Sequence, residues 1–203
     1  MLRRLMILPK AILFDMDGTL TDEQIDWSHL RTVLNVGPHE GFLEAMERMT
    51  PAERAHCEQV LHDHEHQAAA RSQLSSGCSD LLHWLDTNGL GRALITRNTR
   101  KSVQTVFDLH GLHFEVAITR EDGKFKPDPA PLLMACDRLG VSKDQAWMVG
   151  DWKYDIEAAN AARMTGVWLS YDRQRAFEAV PDLVVRDLCD LWDLLKRLAG
   201  QSV

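Results

Sequence analysis

The chain is arranged around one short stretch, Ile12-Leu13-Phe14-Asp15-Met16-Asp17-Gly18-Thr19-Leu20. The consecutive apolar residues 11–14 are typical of a strand that is covered on both faces. Successive side chains on a strand point to opposite faces, so Asp15 and Asp17 share a side if the extended geometry persists. Two carboxylates at one point repel each other unless a cation, a shared proton or a substrate charge relieves them. Gly18 allows the backbone to leave the strand at dihedral angles that other residues resist.

Length, composition and charge place the chain among ordinary globular proteins. Its 203 residues suit one domain, or a main domain with a small insert, and its 45% hydrophobic and 26% charged residues are a usual composition. The net charge of -7 argues against a general affinity for nucleic acid. A small anionic substrate is still compatible with this charge where positive groups are concentrated locally. We therefore expect a small-molecule partner and no nucleic acid.

The cysteines and the apolar runs indicate the compartment. The cysteines are widely spaced and form no CxxC pair, which favours buried, reduced thiols over disulfides or a zinc site. They are Cys57, Cys78, Cys136 and Cys189. The first ten residues superficially resemble a signal peptide, but their apolar piece is too short and Lys10 interrupts it. No apolar run is long enough to cross a bilayer, so we expect a cytoplasmic protein without a membrane partner, as a monomer or small homo-oligomer.

Residues 21–76 differ from the rest of the chain because their apolar residues recur at helical spacing. The sequence 50–53 predicts a helix start, with Thr50 as N-cap, Pro51 at the first helical position and Glu53 closing a capping box. This helix could continue to about Arg71. We predict a small all-helical cap domain of two to three helices at 21–76.

Strands and helices alternate after residue 77. The predicted strands after the first are 92–96, 114–118, 146–149, 166–169 and an edge strand at 183–185. The predicted helices are 79–88, 101–110, 131–139, 155–163 and 187–199. Such alternation predicts a parallel sheet with helices on both faces and right-handed crossovers. The expected fold class is α/β, a three-layer Rossmann-like core of residues 1–20 and 77–203 with the cap inserted after strand one.

Polar residues follow four of the predicted strands. Ligands of such sheets bind beyond the carboxyl ends of the strands. The residues there are Asp15, Asp17, Thr96, Lys126 and Asp151. Carboxylates with no His or Cys nearby suit a hard cation such as Mg²⁺. A carboxylate can also act as a nucleophile, while an ammonium and a hydroxyl hold a phosphate group.

These motifs together resemble the haloacid dehalogenase superfamily, and more closely its phosphoglycolate-phosphatase-like branch, which carries a helical cap between its first and second motifs. The matching motifs are Asp15-Met-Asp17-Gly-Thr19, Thr96 at a strand end, Lys126 in Lys-Pro-Asp-Pro, and Gly150-Asp151-Trp-Lys-Tyr-Asp155. The resemblance covers about residues 10–21 and 78–187, and the cap is similar only in position and helical character. It implies a magnesium-dependent phosphatase that hydrolyses a small phosphorylated metabolite.

The resemblance also implies roles for four aspartates. Asp15 would be the nucleophile that becomes phosphorylated, and its second oxygen would bind Mg²⁺. Asp17 would protonate the leaving group and then activate water, while its backbone carbonyl binds the metal. Asp151 would bind the metal directly, and Asp155 would support it through water or hydrogen bonds. The dehalogenating members lack an acid at the position of Asp17, so carbon–halogen cleavage is not expected.

The phosphate would be held by a second set of residues. The resemblance implies that Thr96, with the backbone amides near Arg97 and Asn98, binds the phosphate, and that Lys126 neutralises charge around the nucleophile. Lys124 competes for the last role. Lys126 is preferred because the following proline favours an extended conformation that could aim it inward.

Several alternatives stay open on the sequence alone. Trp152 stands where the branch usually has a small polar residue and could narrow the rim or alter the metal's surroundings. Asp155 could be only the N-terminal charge of a helix. His62 and His66 lie one helical turn apart, as metal-binding pairs do, although a polar exposed helix is the simpler interpretation. A phosphomutase, a dehalogenase, or a non-catalytic interaction protein that retains the fold are the rival functions.

Overall fold

The computed structural model describes residues 7–38 and 40–200. Most of the segment that resembles a signal peptide, and the two ends of the predicted core domain, therefore lie outside the described residues. Within the described part, no helix has both the length and the apolar character needed to cross a membrane.

A six-stranded parallel sheet forms the centre of the fold. Its strands are β1 Ala11–Phe14, β2 Gly91–Ile95, β3 Val116–Ile118, β4 Ala146–Gly150, β5 Thr165–Leu169 and β6 Leu183–Val185. Their spatial order is β3-β2-β1-β4-β5-β6, so the chain runs outward in one direction from β1 and in the other from β4. Phe14 pairs with Leu94 of β2 and Val149 of β4. The end of β1 is thus the point where strand order reverses, which is where open α/β sheets bind ligands.

Helices cover both faces of this sheet and lie above one end of it. They are α1 Trp27–Val33, α2 Phe42–Met46, α3 Pro51–Arg71, α4 Cys78–Thr87, α5 Arg100–His110, α6 Ala130–Leu139, α7 Lys153–Ala162 and α8 Leu188–Leu198. Ile12 and Phe14 belong to an apolar cluster with residues of α4, α5 and α8. Ala11 and Leu13 belong to a second cluster with residues of α6 and α7. This alternation along β1 gives the predicted three-layer α/β architecture.

The segment predicted to be helical contains α1, α2 and α3. Its apolar residues form a third cluster that includes Leu30, Phe42 and Leu61. The predicted capping box is confirmed, since the Thr50 hydroxyl accepts from the Glu53 N–H at 3.3 Å and the Glu53 carboxylate accepts from the Thr50 N–H at 2.9 Å. The division into a cap domain and a core domain stays a prediction.

The two connections to this helical segment run side by side. The Asp22 N–H donates to the Gln73 carbonyl, and the Ser75 N–H donates to the Leu20 carbonyl, both at 2.9 Å. Because the first connection leaves directly from the end of β1, the helices that follow lie over the carboxyl edge of the sheet.

The cysteines follow the prediction only in part. Cys57, Cys78 and Cys136 are buried, whereas Cys189 is half-buried, so the expectation of four buried thiols is wrong for Cys189. Cys189 lies on the first turn of α8, where its sulfur packs against the backbone of Gly77. This position is at the edge of the apolar layer rather than inside it.

Candidate active site

The end of β1 brings two carboxylates to the carboxyl edge of the sheet. The Asp15 N–H continues the strand ladder by donating to the Val149 carbonyl at 3.0 Å. The chain then turns at Gly18, where φ is +75° and the N–H donates to the Thr21 carbonyl at 2.8 Å. A Cβ atom at Gly18 would lie 2.7 Å from the Asp151 carboxylate. Glycine therefore serves both the left-handed turn and the close approach of a third acid.

Lys126 lies between two of the acids. Its Nζ donates to Asp15 at 2.6 Å and to Asp155 at 2.7 Å, and only 2% of its side chain is exposed. Burial alone would lower the pKa of Lys126, but the two carboxylates outweigh burial and raise it. Lys124, the competing lysine, is 74% exposed and lies 3.7 Å from Asp128 instead. The structure thus places Lys126, and not Lys124, in the site.

Three carboxylates form a cluster that could hold a metal ion. Asp15, Asp151 and Asp155 each offer an oxygen atom within 4.8 Å of the others. Burial raises the pKa of Asp15 to about 6 although Lys126 opposes it, and burial with the neighbouring acids raises the pKa of Asp151 to about 7. Such unfavourable crowding of carboxyl groups is relieved by a hard divalent cation, which binds through oxygen ligands. The donor set therefore fits Mg²⁺.

Asp17 is set apart from this cluster. Its side chain accepts a hydrogen bond from the Asn98 amide at 2.8 Å. Burial, followed by the charges of Asp15 and Glu23, raises the pKa of Asp17 to about 8. Asp17 therefore carries a proton at neutral pH, whereas Asp15 beside it is mostly ionised, so the pair is divided into an acid and an anion.

The loop after β2 supplies the predicted phosphate-binding residues. The Asn98 N–H donates to the Thr96 hydroxyl at 3.0 Å, and both residues are buried within the site. The Arg97 side chain turns away to the helical segment, where its guanidinium donates to both oxygens of Glu44 at 2.8 and 2.7 Å. It also packs on the Tyr154 ring, 3.9 Å from the centroid. Burial alone would raise the pKa of Glu44, but the ion pair with Arg97 holds it below its ordinary value.

The sequence did not identify five charged residues of the site: Glu23, Arg31, Glu65, Arg120 and Arg173. Arg173 donates to Asp151 at 3.0 Å, and a buried ion pair joins Arg120 to Glu65 of α3. Arg173 lies in the loop after β5, so the strand-end rule that found the other residues could have found it too. Glu65 carries no comparable signal, because it sits in a polar helix whose placement over the sheet is decided by tertiary contacts.

The structure bears on the alternatives for Trp152 and Asp155. Trp152 is 45% exposed at the mouth of the site and meets the Phe177 ring edge-on, with 6.2 Å between centroids. Asp155 accepts from the Trp152 N–H at 3.1 Å and from Lys126, so it both caps α7 and supports the site lysine. In the helical segment, neither His62 nor His66 belongs to a group of three metal ligands among residues 7–38 and 40–200.

A cavity of about 370 Å³ lies between the sheet edge and the helical segment. Its floor contains Asp15, Lys126 and Asp151, and its roof comes from α1, α2 and α3. An anionic oxygen beside an ammonium, a protonated acid two residues away and a set of cation-binding oxygens can together transfer a phosphoryl group. The volume suits a small ligand.

Comparisons with known proteins agree with this geometry. Residues 24–169 match the family described as haloacid dehalogenase-like hydrolase. The chain is 30% identical to a haloacid dehalogenase-like hydrolase domain-containing protein of Arabidopsis thaliana over 75% of this chain and 67% of that protein. It is 30% identical to a phosphoglycolate phosphatase of Pseudomonas putida over 89% of this chain and 78% of that protein. The crystal structure of a hydrolase from Pseudomonas syringae shares the fold, with a TM-score of 0.80 at 21% identity over 92% of this chain and 98% of that one.

Proposed function

The chain belongs to the haloacid dehalogenase-like hydrolases and acts on phosphate esters, and from this premise we propose that it is a magnesium-dependent phosphatase for a small phosphorylated metabolite. The reaction would pass through a covalent phosphate on Asp15. The single observation that carries this proposal is the geometry at the end of β1, where the Asp15 carboxylate lies 2.6 Å from the buried Lys126 ammonium and Asp17 lines the same cavity.

The first step is transfer of the phosphoryl group to the protein. An oxygen of Asp15 attacks phosphorus, and the bond from phosphorus to the ester oxygen breaks. Asp17 gives its proton to that oxygen, so the substrate leaves as a neutral alcohol. The Thr96 hydroxyl, which accepts from the Asn98 N–H, and the Arg97 N–H would hold the phosphate oxygens, while Lys126 offsets the negative charge beside the nucleophile.

The second step returns Asp15 to its starting state. Asp17, now ionised, takes a proton from a water molecule as the water oxygen attacks phosphorus. The bond from phosphorus to the Asp15 oxygen breaks, inorganic phosphate leaves, and Asp17 is again protonated. Each residue thus ends the cycle as it began.

Asp15, Asp151 and the Asp17 backbone carbonyl are the groups we propose to hold Mg²⁺, with Asp155 in support. When bound, the ion would offset the charge of the phosphate oxygens and of the crowded carboxylates. Asp155 already uses one oxygen for Lys126 and the other for the Trp152 N–H, which favours an indirect role for it.

Residues 21–76 are proposed as the cap domain of this phosphatase. Their helices form the roof of the cavity, and two ion pairs, Arg97 with Glu44 and Arg120 with Glu65, join them to the core loops. A roof in this position would exclude water while the phosphoryl group is transferred.

A phosphate-release screen tests the proposal. Purified protein with Mg²⁺ is expected to release phosphate from at least one member of a panel of sugar phosphates, nucleotides and phosphoglycolate. Asp15→Asn should abolish the release, whereas Asp22→Asn, which changes an exposed acid of the same segment, should leave it unchanged. No release from any compound, or equal release by the Asp15→Asn variant, would overturn the proposal.

A further inference from the structure

The roof of the cavity is largely apolar. Five residues of the helical segment supply this surface: Trp27, Pro38, Phe42, Leu43 and Leu61. The Trp27 and Phe42 rings lie 5.6 Å apart between centroids with an interplanar angle of 37°. The Trp27 indole N–H donates to Glu23 at 2.8 Å, so the polar atom of this side chain is already satisfied. A leaving group on this side of the cavity would therefore meet an aromatic wall.

The arginines on the leaving-group side already have partners. Arg97 and Arg120 are bound to Glu44 and Glu65, and their side chains are only 18% and 12% exposed. A substrate anion that approached either guanidinium would meet a charge already offset by a carboxylate, which weakens the attraction.

Arg31 is the third arginine on the leaving-group side of the cavity, and its hydrogen bonds stabilise the chain around it. Its Nη1 donates to the carbonyls of Gly37 and Glu40, both at 2.6 Å, and its guanidinium packs over the Phe42 ring at 5.0 Å. The Glu23 carboxylate lines the same half of the cavity. Two of the three guanidinium groups are thus paired with carboxylates, and Glu23 adds a third carboxylate, so the formal charges of these six side chains in and beside the leaving-group half sum to zero.

The charge distribution and the aromatic wall together narrow the substrate class. The phosphate end has the Lys126 ammonium, the Arg173 guanidinium beside Asp151 and a place for a divalent cation, whereas the opposite end has no net formal charge to attract a second anion. We infer that the preferred substrate is a phosphomonoester of an uncharged alcohol that presents a ring to Trp27 and Phe42. The inference rests on the proposed phosphatase function. It predicts a preference unlike that named for the phosphoglycolate phosphatase relatives.

Three matched phosphomonoesters test this inference with wild-type protein and Mg²⁺. Benzyl phosphate has the ring, 4-carboxybenzyl phosphate adds one anion to it, and ethyl phosphate lacks the ring. We expect kcat/KM for benzyl phosphate to exceed that of either other ester by about tenfold or more. Ethyl phosphate loses the apolar contact, and 4-carboxybenzyl phosphate brings a carboxylate to the half of the cavity that Glu23 lines.

Two variants test whether Trp27 and Glu44 determine the preference for a ring and for an uncharged leaving group. Trp27→Ala should lower kcat/KM for benzyl phosphate by about tenfold and leave ethyl phosphate within about twofold. Glu44→Gln should free Arg97 and raise the rate with 4-carboxybenzyl phosphate relative to benzyl phosphate. Val33→Ala changes an exposed residue of α1 and should alter neither ratio.

The outcomes separate the inference from the function on which it rests. If 4-carboxybenzyl phosphate or phosphoglycolate is the better substrate, or if ethyl phosphate equals benzyl phosphate, the inference is wrong and the phosphatase function stands. If compounds of the phosphate-release panel are hydrolysed and none of the three esters is, only the inference is wrong. If neither the panel compounds nor the three esters release phosphate, both are wrong. Because the wild-type comparison is sufficient, a variant that fails to fold does not leave the question open.

Discussion

Replacing Lys126 by methionine should destabilise the protein by an amount that depends on pH. The ammonium lies 2.6 Å from Asp15 and 2.7 Å from Asp155 and is almost fully buried, so its removal leaves two buried carboxylates without compensation. Breaking such a pair costs about 3–5 kcal/mol. Methionine keeps an unbranched apolar chain of similar length, so the loss reports mainly on charge.

The pH dependence follows from the pKa of Asp15. With Lys126 present that pKa is about 6, and without it the pKa rises further. The native variant then holds a proton that the unfolded chain has lost, so its stability falls as pH rises. The loss relative to wild type should therefore be larger at pH 8 than at pH 5, by up to about 1.4 kcal/mol for each unit by which the pKa of Asp15 rises.

Urea denaturation at both pH values, with metal removed by chelation, measures this difference. Lys124→Met is the matched control, because Lys124 is 74% exposed, and it should change the unfolding free energy by less than about 0.5 kcal/mol. An equal loss for Lys126→Met at pH 5 and pH 8 would mean that the lysine contributes packing alone. No loss at pH 8 would mean that Lys126 does not stabilise the two buried carboxylates.

Three further substitutions probe separate features. Burial raises the pKa of Glu65 to about 7, so the wild-type protein should lose stability as pH rises from 4.5 to 8, whereas the Glu65→Gln variant has no such group to ionise. The unfolding free energy of the variant, relative to that of wild type, should therefore rise by up to about 3 kcal/mol over this range in parallel urea titrations. No rise would mean that Arg120 fully offsets the cost of burial. Thr50→Ala should lose about 1 kcal/mol in urea by removing the N-cap of α3, and an unchanged midpoint would contradict the capping box. Gly18→Ala should weaken Mg²⁺ binding more than about tenfold by calorimetry, since its Cβ would crowd Asp151 and its φ is +75°; unchanged affinity would count against the site.

Local patterns account for the part of the fold that could be predicted. The apolar run of β1 and the capping box at Thr50 depend on neighbouring residues only, and both occur as predicted. Asp15, Thr96 and Lys126 could be grouped from the sequence alone because parallel strands bring their carboxyl ends to one edge. These residues could thus be placed in one site from their positions at strand ends, rather than from any single motif.

The ion pairs between the helical segment and the core could not be predicted in this way. Glu44 and Arg97 are 53 residues apart in sequence, and Glu65 and Arg120 are 55 apart. No sequence periodicity links such residues, because they come into contact only when the helices pack over the sheet. The cavity's charge balance, and with it the inferred substrate class, was therefore visible only in three dimensions.

Rapid acid quenching during turnover, followed by mass spectrometry of the peptide that contains Asp15, is the direct test for a covalent phosphate on Asp15. We expect one phosphoryl group on Asp15 of the wild-type protein with Mg²⁺ and a phosphomonoester substrate. We also expect more of this species when Asp17 is replaced by asparagine, provided that phosphoryl transfer still occurs, because water is then no longer activated. Phosphate release at the wild-type rate with Asp15 unmodified at every quench time would contradict the covalent mechanism.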